Sequence, residues 1–496
     1  MSAPFTRDAA RRFVVAAFDV LVADNAIPTS SGHRRVQAHI DFDASRLEQL
    51  PEYSALTHAI GTEFSAAFEP GEDDDRGRQL TLSLWIHSFL EHCIYLCSMH
   101  ATYGVDGGTP YDPHGSPVGE AIDELVSVLA GASYNFVVAR VVSHLTTDNS
   151  ATIQIGDITI EPDNLMLDAR IRRLIPDAEH AWKRRPPRVF RPPNSLVVAT
   201  ATVTSPESHS DRELRTKLDR FVLAVCLLTG ATAQPTYEVA GASTPITRWP
   251  ARLSMLIDDK RPSVVRRVVR LTGTEGAAID ALTDLLAQTE VKRPDAVKNS
   301  LSVAIRKFSQ LDTTTDPFDQ LVDLATGLEA AVLGGSKETE GLTLRLRSRV
   351  AALLSAADDP ATVLFRDIGE LYGLRSKIVH GGDLTVRQLT RAVNAISTVP
   401  TQADQDNSLV RLGFANDRLR DILRRAILAR LCLAAEPDPL WPLKGADSIS
   451  VDPLLADDAT RTAWRARWRD RLDSFGIAPA AARASAGEYA LTPYDD

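Results

Sequence analysis

The sequence predicts an α+β protein, with an N-terminal mixed α/β-strand domain followed by a C-terminal all-α helical bundle. Three observations predict it. Short runs before about residue 205 alternate apolar and polar residues, as half-buried strands do. After Ser210 the apolar residues recur at three- and four-residue steps instead, the period of a helix with one buried face. The chain has 496 residues, 44% of them hydrophobic, enough for several ordinary cores. The expected divisions are an α+β domain over 1–205, a helical connecting region over 206–310, a bundle over 311–435, and an extension over 436–496 with a frayed tail.

The elements follow in order. The apolar stretch after Arg11-Arg12 runs into Asp19 and lacks a small-residue cleavage site, so it reads as a strand or helix of the fold rather than a leader. Val36 to Phe42 and Ser195 to Thr204 alternate as strands. In 151–160, ATIQIGDITI, four isoleucines flank Gly156-Asp157, the pattern of a tight hairpin. Proline-containing stretches at Gly107–Pro117 and Pro186–Pro193 read as loops. Helices are expected at about 211–229, 275–290, 295–310, 317–333, 342–356, 361–376, 385–398 and 413–434. In the fourth, Phe318, Leu321, Val322, Ala325, Leu328 and Val332 form one stripe, stopped by Gly334-Gly335. The seventh opens with Thr385 and Gln388 at capping-box spacing, then places Val386, Leu389, Val393 and Ile396 on one face.

Composition narrows the function. Fifty-five basic against 65 acidic residues leave a formal charge of −10, so any nucleic-acid contact must rely on a local basic patch. Four scattered cysteines do not make a disulfide framework, and a reducing cytoplasm is the expected location. Leu80 to Met99, the most apolar later segment, is interrupted by His87, Glu91 and His92, so no membrane span is expected. No P-loop is present, and ATP hydrolysis is not indicated. Cys93, Cys97 and His100 share a helical face and invite a zinc reading, but apolar neighbours favour buried thiols, and no metal or cofactor is expected.

Chemistry concentrates in Leu371–Gly382, LYGLRSKIVHGG, where Arg375 and His380 stand five residues apart. This segment resembles the R-x-x-x-x-H signature of HEPN domains, in the variant of the Apea-like family. Asp323–Ala331, DLATGLEAA, resembles that family's Leu-Glu-Ala helix, and Leu344–Leu354 its next helix, with Ala331 standing where a larger apolar residue is expected. The resemblance covers about 270–435. It implies a HEPN-type bundle over 311–435, a homodimer in which two bundles line one cleft with both Arg-His pairs, RNA as substrate, and a phage-derived or cellular trigger. It also implies a role in bacterial anti-phage defence by abortive infection or in toxin-like growth arrest, with 1–205 as sensor or substrate domain.

The residue types fit that chemistry on their own terms. RNA carries its nucleophile, the 2′-hydroxyl, so cleavage needs proton transfer, stabilisation of phosphorane charge and in-line geometry. Imidazole can take and give a proton near neutrality. Guanidinium stays charged and holds two phosphate oxygens at once. On an unbroken helix the two side chains would point roughly 140° apart. Gly381-Gly382 predict that the helix ends at His380 with a left-handed cap that turns the chain there.

Tyr372 and Ser376 adjoin the pair and are read either as phosphate contacts or as core and cap residues. Glu329 either orients His380, pairs with Arg375, or is a plain surface glutamate. Two basic-aromatic stretches are candidates for RNA contact: Trp182 to Arg191, with Lys183, Arg184, Arg185 and Arg188, and Trp464 to Arg471. The competing reading of the whole is a catalytically silent HEPN module that dimerises or binds RNA or protein.

Overall fold

The computed structural model describes residues 3–24, 27, 44–64, 82–97 except 84 and 95, 112–162, 194–203, 210–230, 233–242, 252–255, 269–291, 300–309, 316–334, 341–381, 384–399, 408–435, 440–441 and 451–477. The strand expected at Val36–Phe42 and the basic cluster Lys183, Arg184, Arg185 and Arg188 lie outside these residues. Among those described, no helix is long and apolar enough to cross a membrane.

The N-terminal part opens on helices. These are α1 (Pro4–Ala23), α2 (Ala44–Glu48), α3 (Pro51–Glu63), α4 (85–94) and α5 (Ser116–Leu129). The apolar start of the chain is therefore a helix, which buries Ala10, Phe13, Val14, Ala17, Phe18 and Leu21. Glu63 of α3 accepts the free backbone N–H groups of Phe5 and Thr6 at 3.1 and 2.8 Å, satisfying donors that a helix start leaves open.

Next comes a six-stranded antiparallel sheet of order β3-β4-β5-β1-β6-β7, formed by β1 (Tyr134–Ser143), β3 (Ile153–Ile155), β4 (Ile158–Pro162), β5 (Asn194–Val203), β6 (Gln234–Ala242) and β7 (Arg252–Met255). A short parallel pair joins β2 (Leu145–Thr147) to β8 (Val269–Leu271). The expected hairpin is present, with Ile153 opposite Ile160, Ile155 opposite Ile158, and Gly156 at φ 55°. Helix α6 (Ser210–Thr229) packs on β5 and β1, and α7 (Gly276–Val291) packs on α6.

This sheet corrects the helical reading of 206–310, because β6, β7 and β8 all lie there and β6 pairs along β1. The signal was hidden by buried polar residues. In β6, Thr236 and Glu238 are only 2% and 3% exposed, which erases the apolar alternation. Their polar atoms are satisfied internally: Thr236 Oγ1 donates to the Val141 carbonyl, and Glu238 accepts from Arg140 at 2.7 Å and forms an ion pair with Arg215 at the same distance.

The remainder is helical: α8 (Ser300–Ser309), α9 (Pro317–Val332), α10 (Leu342–Leu354), α11 (Ala361–Val379), α12 (Val386–Asn394), α13 (Ser408–Ala435), α14 (Val451–Ala456) and α15 (Asp458–Ser474). The α9 stripe is buried at Leu321, Ala325, Leu328 and Val332, with Leu324 and Ala331 added and Val322 only half-buried. Gly327 lets α9 approach closely: a Cβ there would stand 2.9 Å from Leu423 and 3.1 Å from the Lys307 side chain. The α12 capping box forms as expected. Val386, however, is 70% exposed, since it sits at the first turn before the helix reaches its neighbours, while Leu389, Val393 and Ile396 are buried.

Helix α13 runs through the middle and packs against α7, α8, α9, α10, α12 and α15. From Asp421 to Ala435 every residue is buried, although the helix is rich in arginine. Arg418 forks onto Asp359 at 2.7 and 3.0 Å and reaches Asp367 at 3.0 Å. Arg425 bonds Asp359, and Arg424 and Arg425 both hold Asp421. Three buried carboxylates thus meet three buried guanidinium groups, the balance a buried ionic cluster needs. Arg424 also donates to the Leu227 carbonyl of α6, tying the helix to the sheet layer. Arg430 lies 4.0 Å from the Trp441 ring centre and donates to the carbonyl of Ala331, which is fully buried.

Candidate functional site

Helix α11 carries the Arg375-His380 segment. Its inward face, Leu364, Ile368, Leu371 and Leu374, is buried with Asp367. Asp367 accepts from the Ser397 hydroxyl and backbone N–H as well as from Arg418, so α11 is anchored to both α12's end and α13. Arg347 of α10 lies across its outer side, donating to the Phe365 carbonyl with its guanidinium 3.9 Å from the Phe365 ring centre. The segment is therefore presented from a fixed helix.

The end of that helix has the expected form. His380 is the C-cap at φ −87° and ψ 8°, its N–H donating to the Ser376 carbonyl, and Gly381 follows at φ 64°. A left-handed residue here is favourable only for a side chain that lacks a Cβ.

Arg375 projects towards α9. Its Nη2 stands 3.8 Å from Oε1 of Glu329, and its guanidinium carbon lies 5.5 Å from the Tyr372 ring centre. Both partners of this ion pair are half-buried, at 21% and 27% side-chain exposure. The Tyr372 hydroxyl donates to Glu329; burial, then that acceptor and its negative charge, push the phenol up to about 12. Tyr372 is thus held as a neutral donor. Arg375 Nε and Glu329 Oε1 are buried without a hydrogen bond among the described residues.

The fold brings three of the five sequence candidates together: Arg375, Tyr372 and Glu329. Of the readings open for Glu329, the pairing with Arg375 is the one observed. Ser376 is half-buried, and its carbonyl serves the helix cap. His380 is exposed at the helix end, and among the described residues its side chain makes no hydrogen bond or ion pair, so it is joined to Arg375 only through the backbone of one turn.

The other candidates resolve differently. Trp464 and Trp468 of α15 are buried, and two of the arginines beside them close the C-terminus of α10: Arg465 donates to the Ser355 hydroxyl, and Arg469 to the carbonyls of Leu354 and Ser355. Arg349 of α10 grips Asp452 of α14, completing this docking. These groups are spent on the fold. Cys93 and Cys97 are free, buried thiols; burial pushes Cys93 well up and Cys97 to about 12. Among the described residues no cluster of histidine, cysteine and carboxylate could hold a metal ion.

The sequence reading did not single out the Asp359, Asp367, Arg418 and Arg425 network that anchors α11. A signal was available for the arginines, since Arg418 and Arg425 are two helical turns apart on α13, whereas Asp359 lies before the start of α11. No family model, curated protein or solved structure matches the chain.

Proposed function

We propose that the chain is a metal-independent endoribonuclease of HEPN type, acting in bacterial defence against phage or in growth arrest. The observation that supports this reading best is the last turn of α11, where a half-buried arginine is followed by an exposed histidine on a glycine-capped helix end. In this reading His380 moves the proton: the 2′-oxygen attacks phosphorus as it loses its proton, and the 5′-oxygen leaves as it gains one. Arg375 neutralises the charge that accumulates on the non-bridging oxygens. One imidazole and one guanidinium are few groups for two proton transfers and a phosphorane, so the working unit is a homodimer that pools two pairs.

The engagement of Arg375 by Glu329 favours a second reading, a catalytically silent HEPN module that dimerises or binds RNA or protein. Purified protein with total RNA in EDTA separates the two. The nuclease is expected to yield fragments ending in 2′,3′-cyclic phosphate or its hydrolysis product, from dimers of twice the chain mass by light scattering. Bound but intact RNA favours the silent module.

A further inference from the structure

We propose that Glu329, oriented by the Tyr372 hydroxyl, is a built-in counter-anion that occupies the Arg375 guanidinium until a phosphate displaces it. The proposal rests on the reading above that Arg375 receives phosphate. Its geometric basis is an ion pair left open. Charge-assisted bonds between guanidinium and carboxylate close to about 2.7–2.9 Å, as Arg418 with Asp359 does at 2.7 Å. Arg375 and Glu329 stop at 3.8 Å. At that separation the attraction is Coulombic without a hydrogen bond, and both Arg375 Nε and Glu329 Oε1 keep unspent bonding capacity in a buried position.

Two further features make the pair exchangeable. About a quarter of each side chain remains open to solvent, so an incoming anion has access. Tyr372 supplies Glu329 with a donor of its own, so the carboxylate keeps a hydrogen-bond partner when the arginine leaves. A phosphate with two non-bridging oxygens can fill the guanidinium fork that Glu329 leaves incomplete. The carboxylate then acts as a threshold: it weakens every anion at this position by occupation and by repulsion.

The test uses a fluorescent 2′-O-methyl oligoribonucleotide, which binds but cannot be cut, titrated into the full-length chain and followed by anisotropy. E329Q is expected to bind about threefold to tenfold more tightly than wild type, the range that loss of a partly exposed opposing charge supplies. Y372F, which leaves the carboxylate in place but frees it, should shift affinity by less than E329Q. The gain from E329Q should vanish in the R375A background. If E329Q melts normally but binds no more tightly, while R375A binds more weakly, the counter-anion is wrong and the phosphate role of Arg375 stands. If R375A also binds as wild type does, that phosphate role falls and the proposal with it. A gain that persists in R375A likewise overturns it.

Discussion

Arginines in two neighbouring helices of the bundle are held in opposite ways. On α13, Arg418 is 1% exposed and meets two carboxylates at hydrogen-bond distance, each itself buried. On α11, Arg375 is 21% exposed and faces a single carboxylate at 3.8 Å. The first arrangement is saturated, so the charge serves only to fix helices: desolvation is offset by bonds that no ligand can reach. The second is unsaturated and reachable, the condition under which a guanidinium can change partners. Residue type alone does not distinguish an architectural arginine from one available for chemistry; the count and length of its bonds do.

The contrast breaks most directly on α13. Arg418→Ala removes the guanidinium that joins Asp359 to Asp367, leaving Asp359 to Arg425 and Asp367 with the Ser397 donors but no buried counter-charge. It should destabilise the chain by about 3–5 kcal/mol, read as a shift in urea unfolding. Arg375→Ala should cost less than about 1 kcal/mol in the same assay, as partly exposed pairs do. Its effect should appear in RNA cleavage, a loss of about a hundred- to a thousandfold, equivalent to roughly 3–4 kcal/mol of transition-state stabilisation. Arg375→Lys should rescue little, because an ammonium cannot reproduce the fork. Equal destabilisation by the two alanine variants would erase the distinction.

Acid should sharpen it further. Burial raises the Asp421 carboxyl, but Arg424 and Arg425 outweigh burial and hold it below its ordinary value of 3.8. The stabilisation from this lowered group is fully present above pH 3.8 and is lost as pH falls through the folded value beneath it. Asp452, held down by hydrogen bonds from Arg349 and Arg345, acts in the same direction. Unfolding free energy measured against pH should therefore drop below pH 4. A curve flat to pH 2 would contradict the ionic account of the core. The smallest effect belongs to α15, where Arg469→Ala removes bonds to two carbonyls at the α10 terminus and should cost about 1 kcal/mol by the same denaturant titration.

Much of the fold was legible wherever burial follows the apolar period. The stripe of α9, the capping box of Thr385 and Gln388, and the Ile153–Ile160 hairpin each declare themselves by spacing, and each is present. Strand β6 was not legible because its inward positions are Thr236 and Glu238, polar groups satisfied by Val141, Arg140 and Arg215, which are distant in sequence. Helix α13 is legible as a helix, but its burial on every side from Asp421 to Ala435 is not, since arginines read as solvent-facing until their aspartates are located. At the site, the helix end at His380 followed from Gly381. Sequence placed Glu329 near the motif but could not choose among its roles, because a 46-residue separation between Glu329 and Arg375 carries no periodicity.

The central claim is that Arg375 and His380 cut RNA, and its most direct test is His380→Ala. The imidazole is exposed and makes no side-chain hydrogen bond or ion pair among the described residues, so the variant should fold and associate as wild type does. RNA cleavage in EDTA, followed by end-group analysis of the products, should disappear with it. A folded His380→Ala protein that cuts RNA at the wild-type rate would contradict the account.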